Sequence, residues 1–86
     1  MSIGRVEVNQ GGKGEALSLE GELLHLVIDR AYAPGAPISM SVALADETLS
    51  LQGRTIASKR RPDGSFDVRL RLVNFTRDAR ARLANA

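Results

Sequence analysis

Two stretches of this chain alternate apolar and polar residues with a period of two, a pattern that an amphipathic helix cannot use. In Phe66–Leu72, Phe66, Val68, Leu70 and Leu72 are separated by Asp67, Arg69 and Arg71. In Ile38–Leu44, Ile38, Met40, Val42 and Leu44 are separated by Ser39, Ser41 and Ala43. Each reads as a half-buried strand with one face on a core and the other outward. A chain of 86 residues makes one domain with a modest core. Its 43% hydrophobic content is ordinary for globular material. Short antiparallel strands that must share so small a core predict an all-β domain over 1–86, a small antiparallel barrel rather than a sandwich.

The segment Ala16–Asp29, ALSLEGELLHLVID, organises the first half of the chain. It reads as a polar corner, Ser18-Leu19-Glu20-Gly21, running into an apolar strand, Leu23–Ile28. Apolar residues on both faces of that strand predict a central position. The expectation for Glu15–Asp29 is one strand, bent or bulged near Gly21. Before it, Ile3–Asn9 predicts a short first strand and Gln10–Gly14 a flexible turn. The GGKG of that turn lacks phosphate-loop spacing and precedes no helix. After it, Pro34-Gly35 in Ala31–Pro37 fits a type II turn, and Asp46-Glu47 a short acidic one. Thr48–Ser58 predicts a long strand with Leu49 and Leu51 inward. Its period slips between Gly53 and Ile56, which points to a β-bulge at the glycine. Lys59–Gly64, KRRPDG, reads as a basic hairpin loop. Thr76 is placed to cap a closing helix over about 76–85, with Asp78 in its first turn and Ala79 and Leu83 on one face. The residues thus give five strands within 3–73, then one helix against the barrel mouth.

Charge is uneven along this chain of net charge +2. Residues 1–53 carry three basic side chains (Arg5, Lys13, Arg30) against seven acids, and residues 54–86 nine basic against three acids. That gradient can steer anionic partners to one face. The absence of cysteine excludes disulfides, a cysteine zinc site and a thiol nucleophile. His25 is the only histidine, inside an apolar run, and a structural role is expected for it. With no paired carboxylates at motif spacing, no catalytic set is evident and an enzyme is not expected. No apolar run is long enough to span a bilayer, and MSIGRVEV has no signal-peptide pattern. A cytoplasmic domain without membrane insertion is expected.

Taken together, ALSLEGELLHL, the Pro-Gly turn before an alternating strand, LQGRTIAS and FDVRLRLVNFTRDARARL resemble a PilZ domain, over Arg5 to Leu83. The resemblance implies a six-stranded bacterial barrel with a C-terminal helix, of a family in which many members are cyclic di-GMP receptors. Their ligand motifs are an N-terminal RxxxR pair and [D/N]xSxxG. Here Ser18 and Gly21 match SxxG, Ala16 stands where Asp or Asn belongs, and no RxxxR precedes it. The missing arginines would pair with phosphates and stack on guanine. The resemblance therefore implies a degenerate PilZ-like protein without normal cyclic di-GMP binding or other cofactor. Such a protein would be a regulatory adaptor for protein partners, linked to motility or cell polarity.

Candidate partner surfaces are the basic loop Lys59-Arg60-Arg61 beside Arg54, the outward Arg69 and Arg71 with Arg77 and Arg80, and Tyr32 as an interface anchor. Two alternatives stand beside the adaptor: a cyclic di-GMP receptor with an altered site, and a basic nucleic-acid-binding barrel. The latter lacks a stacking platform, since Tyr32, Phe66 and Phe75 are the only aromatics. A homodimer would cover any open sheet edge.

Overall fold

A computed structural model describes residues 3–84. Six strands precede one helix: β1 (Gly4–Val8), β2 (Lys13–Glu20), β3 (Leu23–Ile28), β4 (Pro37–Ala43), β5 (Thr48–Arg60), β6 (Phe66–Val73) and α1 (Arg77–Ala84). They form a closed antiparallel barrel in the order β1-β2-β3-β6-β5-β4, with β1 pairing back onto β4. Closure gives every strand a neighbour on each side, so no strand is an edge strand along its whole length; Ala57–Arg60 of β5 pair with β6 alone.

The core is the inward half of each alternation. Val6, Leu24, Leu26, Ile28, Ile38, Met40, Val42, Val68, Leu70 and Leu72 are buried, as the period of β4 and β6 predicts. Gly14 shows how tightly the strands are drawn together: a Cβ there would collide with the Val27 carbonyl and with Ile28 on β3. The turn before β4 is type II as expected. Ala36 N–H donates to the Ala33 carbonyl at 3.0 Å across Pro34-Gly35, and Gly35 takes φ 86.

Three expectations are corrected. Glu15–Asp29 is not one strand but two, a hairpin turned at Gly21-Glu22 with Glu20 opposite Leu23. Gly21 has φ 59, the positive value needed at the first position of a two-residue turn. The bulge lies at Leu17, between Ala16 and Ser18, rather than near Gly21. The first turn is also shorter than expected: Lys13 and Gly14 already pair with Glu7 and Val6 in β1. In β5 the slip falls at Ile56, between Thr55 and Ala57, because Gly53 and Thr55 keep the inward alternation. Thr55 can lie inside because its hydroxyl donates to the Ala36 carbonyl at 3.2 Å. Ile56 is pushed outward and is 45% exposed.

The closing helix is capped as predicted, with Ala79 N–H donating to Thr76 Oγ1 at 3.1 Å. The described helix ends at Ala84; Asn85 lies outside the described residues. Leu83 is buried, and Phe75 and Ala79 pack against the core beside it. Arg82 ties α1 to the β4–β5 turn through Glu47 and bonds Asp78 at 2.9 Å. Asn74, with φ 52, makes the corner between β6 and α1.

Candidate interaction face

Register decides which outward side chains meet. On β3, β6 and β5 it places Leu23 opposite Arg71, and Arg71 opposite Arg54. In the next row His25 faces Arg69, and Arg69 faces Ala57. In the third, Val27 faces Asp67, and Asp67 faces Lys59. Directly opposite residues have Cβ atoms about 5 Å apart, and like charges so placed repel. Arg54 and Arg71 are such a pair, with Arg69 two residues along β6. Among the described residues none of these three arginines forms an ion pair with a carboxylate; Arg54 donates to the Gly35 carbonyl at 3.3 Å.

The opposite side of the barrel is arranged otherwise. Between β1 and β2, Arg5 stands opposite Glu15 and Glu7 opposite Lys13. Every outward charge there faces its complement. Of the basic residues of the second half of the chain, Arg54, Arg69 and Arg71 are the ones gathered on the β3–β6–β5 face without an acidic neighbour opposite.

Apolar exposure falls on the same face. The three exposed large hydrophobic residues among those described are Leu23 on β3, Ile56 on β5 and Val73 on β6. Leu23 lies beside Arg71 across the ladder. Val73 follows two residues after Arg71 on the same side of β6, and Ile56 sits in the bulge two residues after Arg54.

A polar cluster borders this patch. His25 Nε2 lies 2.9 Å from Asp67 Oδ1, and Arg61 Nη1 donates to the same oxygen at 3.1 Å. The hydrogen bond from His25, reinforced by the Arg61 guanidinium, holds the Asp67 carboxyl below the usual carboxylate range. Shallow depressions of about 240 and 350 Å³ lie to either side of His25 and Arg69. Ser18, Glu20 and Leu23 line the first, and Ala57, Lys59 and Asp67 the second. No three His, Cys, Asp or Glu residues gather as a metal site among the described residues.

The residues singled out in the sequence separate into groups. Arg54, Arg69 and Arg71 come together. Lys59 and Arg60 belong to β5 rather than to a loop, which begins only at Arg61. Arg61 is engaged with Asp67. Arg77 and Arg80 line a separate depression with Phe75, where Arg80 lies 5.5 Å from the ring centroid. Tyr32 is not a free anchor. It is half-buried, its hydroxyl donates to the Gly11 carbonyl at 2.8 Å, and its backbone exchanges two hydrogen bonds with Ser58. Burial pushes its hydroxyl pKa upward.

Of the nucleotide-motif positions, Ser18 is exposed beside His25 and Gly21 is in the turn. Ala16 is fully buried in the core opposite Leu26. A carboxylate at that position would be desolvated among aliphatic side chains.

The sequence reading missed Leu23, Ile56 and Val73. Leu23-Leu24 and Leu72-Val73 are apolar doublets in strands, so one member of each must face outward. That was the available signal. Comparison with known protein families, curated proteins and solved structures finds no match for the chain.

Proposed function

We propose that this protein is a non-catalytic, PilZ-like adaptor of bacterial signalling. It acts in the cytoplasm through a protein partner of a motility or polarity system, without normal cyclic di-GMP binding. The observation that carries the reading is the Arg54–Arg71 pair: two like charges face each other across β5 and β6 with no carboxylate between them. Such a pair works against the fold and is consistent with a site whose counter-charge comes from another molecule. Two features support the loss of nucleotide binding. The side chain that would contribute polar contacts is an alanine closed inside the barrel, and the paired arginines of the family motif are absent.

Titration of isotope-labelled protein with cyclic di-GMP tests this part of the reading. The expected result is no movement of backbone amide signals over Ser18–Gly21 at high ligand excess. Saturable shifts clustered there would overturn the adaptor and establish a receptor with an altered site.

A further inference from the structure

We infer that the outer face of β3, β6 and β5 docks an acidic protein segment in which carboxylates are interleaved with aliphatic side chains. The inference rests on the adaptor reading and specifies the partner's chemistry. Arg54, Arg69 and Arg71 supply the charge, and Leu23, Ile56 and Val73 the apolar contacts.

Three guanidinium groups lie within two rows of the sheet and have no carboxylate partner among the described residues. A bidentate carboxylate suits each of them. The exposed Leu23, Ile56 and Val73 lie between and beside these arginines, so a segment carrying carboxylates alone would leave them wet. One whose acids alternate with leucine-like side chains meets both sets at once. A few buried anchors ringed by charge are the usual composition of an interface centre.

The margins of the patch favour a protein segment over an extended polyanion. Glu20 stands opposite Leu23 and Glu22 occupies the adjoining turn, neither in an ion pair among the described residues. A membrane surface or a phosphodiester backbone would press its negative charge against these carboxylates. A folded or extended peptide can place its acids over the arginines only. The face also has no aromatic side chain on which a base could stack, as single-strand binding usually requires.

The test uses the full chain, isotope-labelled, at low salt. The probes are a synthetic peptide of alternating glutamate and leucine pairs, the same peptide with lysine for glutamate, and the same peptide with serine for leucine. Mixed phosphatidylserine–phosphatidylcholine vesicles and an oligodeoxythymidine complete the set. The expected result is saturable amide shifts on β3, β5 and β6 with the first peptide only, weakening as salt is raised. Arg54→Glu with Arg71→Glu weakens its Kd about tenfold or more, and so does Leu23→Ser with Ile56→Ser. Unchanged far-ultraviolet circular dichroism and thermal melting verify that these variants are folded; Arg69→Glu alone is the fallback if a double variant is not.

Absent shifts, shifts on another face, or equal binding by the arginine variants would overturn the inference. Tighter binding of vesicles or oligonucleotide through the same residues would overturn it too, in favour of a lipid or nucleic-acid surface. The adaptor reading fails separately, by cyclic di-GMP shifts at Ser18–Gly21, whatever the peptide does.

Discussion

Ala16, Asp67 and Asn74 are each set by a local physical demand that single substitutions can expose. Ala16 is sealed in the core, so Ala16→Asp, although it completes the [D/N]xSxxG pattern, is expected to cost about 3 kcal/mol or more through an unpaired buried carboxylate. Urea unfolding would measure that loss, and the variant would gain no cyclic di-GMP binding. Asp67 contributes through ionisation. Its pKa is lower in the folded state than in the unfolded chain, so its stabilisation is complete above the unfolded carboxylate range and is lost as pH falls through the folded value. Stability followed across the acid limb should therefore decline more steeply with falling pH in the native protein than in Asp67→Asn. Equal slopes would show that the His25 and Arg61 contacts contribute nothing. Asn74 holds a left-handed conformation that glycine tolerates and alanine does not, so Asn74→Ala should cost roughly 1 kcal/mol and Asn74→Gly much less.

At the level of elements, α1 is held by one buried side chain and a small set of ion pairs. Leu83→Ala is expected to cost about 2–4 kcal/mol, and Arg82→Ala much less because its partners are at the surface. Chemical denaturation of the two variants would rank them. Legibility in the sequence followed the elements too. β4 and β6 were readable because one clean alternation fills each, and α1 because Thr76, Asp78 and Leu83 fall at cap, first-turn and core positions. The β2–β3 hairpin was not, because Gly21-Glu22 is the shortest possible turn and the apolar residues of Leu17–Leu19 and Leu23–Ile28 run on across it. The bulges at Leu17 and Ile56 were misplaced for a related reason. A bulge is defined by what the partner strand does opposite it, and the partner's register is not written in the local period.

Across the whole molecule, closure turns a gradient along the chain into an asymmetry around a barrel. Arg54, Arg69 and Arg71 were visible as outward basic residues, but their juxtaposition and the company of Leu23, Ile56 and Val73 depend on β3, β6 and β5 being neighbours. The β1–β2 side shows that this chain can place opposite charges face to face, with Arg5 against Glu15 and Glu7 against Lys13. The Arg54–Arg71 pair is therefore the distinctive feature, since the same ladder also sets Lys59 opposite Asp67, and two like charges opposite each other add nothing to stability. The most direct measurement is the thermal stability of Arg71→Glu together with its affinity for the glutamate–leucine peptide. Replacing repulsion across from Arg54 by attraction should leave stability unchanged or raise it by a few tenths of a kcal/mol, up to about 1 kcal/mol, while peptide binding weakens severalfold. A variant that is less stable yet binds the peptide as well as the native protein would contradict the account.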